Sequence, residues 1–254
     1  MPSIEQHSVA TVPLRMLFND TDLSVGTGFI WEHAGKHFLI TNWHNVSGRD
    51  VFTKKHLSKT AGEPNRLALW LNVAGKLGDK AEAFLPIRDG NGAPLWLVHP
   101  KMGNDADVVA MPLPPIPEAD MYPINRMQND PMTVRVGADV FVLGYPYGLG
   151  PGGLPIWKRG SIASEPMLVS PEQPYILVDT ASRPGMSGSP VIARTNGSYT
   201  DANGNMMMTG GLPTRFVGIY SGRMVAPDPL DAQLGLVWPE ALIREIVAGG
   251  VNDA

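Results

Sequence analysis

The 254-residue sequence contains no cysteine, which excludes disulfides, thiolate catalysis and cysteine-based zinc sites. Charge is sparse: 17% of residues are charged against 43% hydrophobic, an ordinary globular balance rather than a disordered or fibrous one. A net charge of −4 leaves no basic excess, which argues against a nucleic-acid or anionic-membrane partner. No apolar run approaches membrane-spanning length. The first residues, Met1-Pro2-Ser3-Ile4-Glu5-Gln6-His7, lack the basic and apolar regions of a secretory signal. The expectation is a soluble, cytoplasmic protein. What the chain has in quantity is glycine (28) and proline (24), which suits many short strands joined by turns.

Strand-like runs occur at residues 25–31 and 36–41, joined by a turn at 32–35, and again at 67–73, 81–87, 94–99 and 107–113. The polar stretch 47–66 between them reads as a surface loop. Pro112, Pro114, Pro115 and Pro117, with Pro123 and Pro131 beyond, remove too many N–H donors for a central strand or a helix. Residues 116–131 are therefore a connector between an N-terminal unit (1–115) and a C-terminal unit (132–254). Strands resume at 138–143, 156–164, 175–181, 190–195, 215–221 and 235–238. The Gly/Asn-rich stretch 196–211, with Met206-Met207-Met208, reads as a long loop, mobile or, less favoured, in contact with a partner. Only the end looks helical: Leu242, Ile243, Ile246 and Val247 share one face after Pro239, and Gly249-Gly250 stop it. The pattern predicts an all-β protein of two packed antiparallel barrels with a C-terminal helix.

The segment Arg183-Pro184-Gly185-Met186-Ser187-Gly188-Ser189-Pro190 places one hydroxyl between two glycines just before an apolar strand. A serine becomes a nucleophile when a base takes its proton and N–H donors receive the substrate's oxyanion. The N–H groups of Gly185 and Ser187 are candidates for those donors. Of the six histidines, His44 stands out because it follows directly on the apolar run Phe38-Leu39-Ile40-Thr41. Asp105 and Asp107, at the mouth of another apolar strand, could orient it; two apart in an extended chain, they share a face. Spacing does not separate them, although Asp107 adjoins the apolar run and is the more desolvated candidate. His33 and His37 flank a turn at Gly35 and make no helical metal pair, so no metal site is expected. Gly148-Leu149-Gly150-Pro151-Gly152-Gly153 fits a dinucleotide pattern, but a strand follows it and Pro151 interrupts it. A nucleophile elbow would need glycine at position 189, and the order His44, Asp107, Ser187 is not that of its triad.

Taken together, Gly26-Thr27-Gly28-Phe29, Thr41-Asn42-Trp43-His44-Asn45-Val46, Asp107-Val108-Val109-Ala110-Met111, Leu143-Gly144-Tyr145-Pro146-Tyr147-Gly148, the Ser187 segment and Leu236-Val237-Trp238-Pro239 resemble, in order, the motifs of chymotrypsin-fold serine peptidases of the bacterial HtrA/trypsin-like group. The resemblance covers residues 20–248 and favours Asp107 over Asp105. It implies a Ser187–His44–Asp107 triad, an oxyanion hole at Gly185 and Ser187, a polypeptide substrate and no cofactor. The chain departs from the family pattern at Met186, where trypsins carry an activation aspartate, and at Ser189, where a glycine is usual; PDZ-regulated proteolysis is not expected. The implied primary pocket comprises Ala181, Ser182, Tyr220, Ser221 and Leu236. It contains no acid, so small or medium apolar side chains are expected at the cleaved bond, with acidic ones the lesser alternative because of Arg223. Two other readings are a catalytically silent peptide-binding or assembly module on the same fold and, less favoured, an esterase.

Overall fold

A computed structural model describes residues 4–170, 172–181, 183–223 and 234–253, with Arg223 described through its backbone only. The first half holds strands β1 (Thr11–Phe18), β2 (Thr21–His33), β3 (Lys36–Thr41), β4 (Arg66–Val73), β5 (Lys80–Pro86), β6 (Leu97–Val98), β7 (Val109–Pro112) and β8 (Ala119–Asp120). The second holds β9 (Asp139–Gly144), β10 (Ile156–Ile162), β11 (Ile176–Asp179), β12 (Pro190–Arg194), β13 (Ser198–Thr200), β14 (Met206–Met208), β15 (Thr214–Arg223) and β16 (Leu234–Pro239), and β17 (Val251–Asn252) ends the chain. Among the described residues, three α-helices accompany them: α1 (Gln6–Ala10), α2 (Trp43–Ser47) and α3 (Glu240–Gly249). None of the described helices is long and apolar enough to cross a membrane.

The fold is all-β and chymotrypsin-like, but the two halves close differently. Strands β10-β11-β16-β15-β12-β9 form a closed barrel. The N-terminal half is a nine-stranded antiparallel sheet in the order β17-β6-β7-β3-β2-β1-β4-β5, with β8 on β4 and no closing ladder among the described residues. Strand β5 is a largely exposed edge ending in Pro86, and the return path makes only an isolated Arg88–Pro94 bridge. A proline at such a place has no N–H with which to extend a ladder.

Three cores explain why the central strands read as continuous apolar runs rather than alternating ones. On β2, β3 and β7, Ile30, Leu39, Val109 and Met111 face the interior of the first sheet. Their neighbours Phe29, Trp31, Phe38, Ile40 and Ala110 face a core shared with Leu143, Ile192, Phe216, Ile219 and Trp238 from the second half and with Ile243, Ile246 and Val247 of α3. Val140, Val142, Val178, Val191 and Val237 fill the closed barrel. Successive side chains of a strand point to opposite faces, so strands between two cores are apolar on both.

Several sequence expectations are corrected. Strand β1, unassigned from sequence because Pro13 interrupts its pattern, lies between β2 and β4. The 196–211 stretch is not a plain loop; β13 and β14 pair within it, with Met206 and Met208 exposed. The division of the chain at the connector also misplaces the termini. Residues 251–252 join the first sheet by pairing β17 with β6. Conversely, Trp157 Nε1 of the closed barrel donates to Ser8 Oγ of α1 at 2.8 Å, and Arg194 pairs with Glu5 at 3.0 Å.

Candidate active site

His44 lies on the one-turn helix α2 rather than at a strand end. Gly48 caps that helix in the left-handed region (φ +71°), its N–H donating to His44 O at 3.0 Å. Asp107, 1% exposed, enters from just before β7 and clamps the histidine twice. Its Oδ1 accepts His44 N–H at 2.9 Å, and its Oδ2 lies 2.6 Å from His44 Nδ1. Asn42 Nδ2 donates to Asp107 O at 2.7 Å and fixes the backbone behind the carboxylate. An ionised carboxylate can only accept, so Nδ1 carries the ring proton and Nε2 is left as an acceptor. Burial by itself lowers the His44 pKa, but the charge and hydrogen bond of Asp107, with Asp50 further off, outweigh it and hold the imidazole above the ordinary histidine value. Asp105 points elsewhere, to Lys54 Nζ at 3.0 Å, with its side chain 76% exposed. Beneath α2, Trp43 Nε1 and Trp96 Nε1 donate to Asp253 Oδ2 at 2.6 and 3.1 Å, so the chain's end anchors the helix that carries His44.

The Ser187 side is built from backbone. Arg183-Pro184-Gly185-Met186 is a type II turn: Met186 N–H donates to Arg183 O at 3.1 Å, and Gly185, at φ +94°, occupies the position that requires positive φ. Pro184 O accepts Tyr147 N–H at 2.7 Å. A trans peptide is planar with C=O and N–H opposed. That bond therefore turns the Gly185 N–H away from Tyr147. Among the described residues neither the Gly185 nor the Ser187 N–H has an acceptor. A Cβ on Gly185 would stand 2.3 Å from Tyr145 O, so no side chain fits there. Gly188 is required by close packing: at φ +88° its Cβ would fall 1.9 Å from Thr27 O, in the seam between the halves. Ser189, fully buried, lies against Gly144.

Thr27, between Gly26 and Gly28, joins the two sides. Its N–H donates to Ser187 O at 2.8 Å and its Oγ1 to Gly185 O at 2.7 Å, while Tyr145 N–H donates to Thr27 Oγ1 at 3.1 Å. Asn45, next to His44, donates to Ser187 O at 3.3 Å. Lys80 Nζ, driven by burial to a pKa of about 8, ties β5 to the same turn through Tyr145 Oη at 3.1 Å. Thr27, Asn45 and the 145–147 turn entered the sequence reading only within the family motifs, with no role at the site assigned to them. The Ser187 hydroxyl has no hydrogen bond among the described residues, and Gly222 borders it, a Cβ there lying 3.7 Å from Ser187 Oγ.

The expected pocket is brought together only in part. Ala181 and Ser221 are half-buried near the site, and Ser221 Oγ accepts from Trp238 Nε1 at 3.1 Å. Tyr220 and Leu236, 1% and 2% exposed, are buried rather than on an open wall. Inward alternation on a closed barrel puts Tyr220 in its core. Ser182 lies outside the described residues, as does the Arg223 side chain.

A clamped histidine–carboxylate pair beside a serine on a glycine turn, between two β units, defines the chymotrypsin-like class of peptidase domains. The profile of the trypsin-like peptidase domain family matches residues 26–198, and the chain belongs to that family. Among solved structures, the chain is similar to a serine endoprotease from Yersinia pestis (TM-score 0.53, 15% identity), covering 98% of this chain and 66% of that one, just under two thirds of its length. It is also similar to the active form of the Rv3671c protease from M. tuberculosis (TM-score 0.52, 19% identity), over 98% of this chain and 84% of that one. At these identities the likeness is one of fold. No curated protein matches the sequence.

Proposed function

We propose that the protein is a serine endopeptidase that cleaves peptide bonds through an acyl-enzyme. Ser187 Oγ attacks the carbonyl carbon, and His44 Nε2 takes the hydroxyl proton and returns it to the leaving amine. Asp107 holds the imidazolium, and the N–H groups of Gly185 and Ser187 receive the oxyanion. Water then repeats the attack on the ester, with His44 again as base, releasing the acid and restoring Ser187. The observation that carries this reading is the double hydrogen bond of Asp107 to His44, which leaves Nε2 as the free acceptor of a histidine whose neighbour Asn45 is bonded to Ser187.

The silent binding module is the second reading, favoured by one observation: Ser187 Oγ makes no hydrogen bond to His44 among the described residues. Catalytic hydrogen bonds are often long before substrate binds, so that observation does not exclude catalysis. Fluorophosphonate labelling separates the two. We expect the wild type to be tagged at Ser187, the Ser187→Ala protein to be untagged, and His44→Ala to retain the fold while losing at least ~10⁴-fold in peptide turnover. Folded wild-type protein that takes up no probe would support the binding module instead.

A further inference from the structure

The end of the closed barrel that holds Ser187 also holds a cation that the triad does not use. Alternation along β10 puts Lys158 on the same face as Ile162, which is buried inside the barrel. Lys158 stands opposite Val142, two residues short of Gly144, where Met186 and Ser189 pack, so it lies at the nucleophile end. There its Nζ donates to the carbonyl oxygen of Ala181. The strand order β10-β11-β16-β15 brings Lys158, then Ala181 just after β11, then Gly235, then Gly222 around one mouth. Gly222 borders the Ser187 hydroxyl, so that mouth opens beside the nucleophile.

The chemistry of the mouth is set by what fills it. A Cβ on Gly235 would lie 2.2 Å from the Tyr220 ring, so the ring closes the barrel interior there and leaves no deep apolar slot. Burial first, and then the positive charge of Arg183, push the Lys158 ammonium below its ordinary pKa. The Lys158 ammonium is thus partly desolvated and feels the charge of Arg183. Among the described residues no carboxylate lies within ion-pair distance of Lys158. Asp179 is exposed on the face of β11 opposite Val178, and Arg159 is engaged outward with Asp139 at 2.7 Å. An ammonium has three N–H donors, and Lys158 directs one to Ala181. An entering anion would compensate the incomplete solvation of the Lys158 ammonium.

We infer that the substrate residue supplying the cleaved carbonyl is acidic, aspartate or glutamate, its carboxylate received by Lys158 Nζ with Arg183 beside it. The inference rests on the peptidase reading above and replaces the apolar preference expected from sequence. The test is kcat/KM for fluorogenic peptide amides that differ only in that residue (Glu, Asp, Leu, Ala or Lys), each preparation being checked by fluorophosphonate labelling. The Glu or Asp substrate should lead. Lys158→Met should cut its kcat/KM by roughly 10- to 100-fold while leaving the Leu substrate and the labelling near wild type, and Lys158→Arg should retain the preference. A labelled enzyme that prefers Leu, Ala or Lys overturns the inference but not the peptidase, as does an acid preference that survives Lys158→Met. Absence of labelling in folded wild-type protein overturns both.

Discussion

The two sides of the site are made of different materials. On the first sheet, His44 is held by side chains: the Asp107 carboxylate, the Asn42 amide and, one layer below, Asp253 with two tryptophans. On the closed barrel, Ser187 is held by main chain: a type II turn, a carbonyl pinned by Tyr147 N–H and two glycines at positive φ. A side-chain clamp tunes charge and tautomer, because a carboxylate can be matched to a ring nitrogen. A main-chain turn fixes the direction of N–H dipoles, for which no side chain substitutes. The acid–base side should therefore fail by changes of charge, and the nucleophile side by added atoms.

Asp107→Asn is the sharpest break on the side-chain half. It keeps the shape but removes the acceptor that holds Nδ1–H, and kcat should fall by about 10⁴-fold with folding retained. Its pH profile carries a second readout. His44 must be neutral to act as base, so in the wild type activity rises with pH through a value above the ordinary 6.5. Without the carboxylate, burial dominates and that rise should move downward; an unmoved acid limb would remove His44 from the assignment. On the main-chain half, Gly185→Ala should lower kcat by roughly 10²–10³-fold, because the turn must shift to clear Tyr145 O and the oxyanion donor shifts with it. KM should change far less, and wild-type kcat in this variant would break the contrast.

The chain ends provide a pH-dependent comparison. Burial, helped by the charge of Arg194 and opposed by the Gln128 backbone and Glu5, lowers the His7 pKa from 6.5 to about 4. A depressed histidine pKa means that stability is complete above 6.5 and is lost as pH falls toward 4, by on the order of 3 kcal/mol. Urea midpoints should show that loss in the wild type and a flatter dependence in His7→Phe. The smallest effect expected is that of Thr27→Val. Its hydroxyl bonds Gly185 O and Tyr145 N–H across the seam, and their loss should destabilise by about 1–2 kcal/mol. A kcat decrease out of proportion to that loss would show that the seam also aims the oxyanion donors.

Much of this was legible in the residues. Strands between two cores carry unbroken apolar runs, so Phe29-Ile30-Trp31 and Phe38-Leu39-Ile40 announce themselves, and Pro184-Gly185 before Ser187 calls for a turn with positive φ at the glycine. Strand β1 was hidden by Pro13, and β13 and β14 by the Gly/Asn-rich residues around them, which also suit loops. The helical setting of His44 escaped notice because one turn is too short to show a period.

By itself, the sequence determined the all-β class, the terminal helix and which histidine, aspartate and serine were candidates, since these follow from local pattern and side-chain chemistry. Tertiary structure decided that Asp107, only favoured over Asp105 by the sequence, reaches His44, that the chain's end anchors the His44 helix, that Tyr220 closes the barrel and that Lys158 stands at its mouth. Those outcomes depend on strand register and on contacts between residues far apart in the chain, and no local pattern encodes such distances.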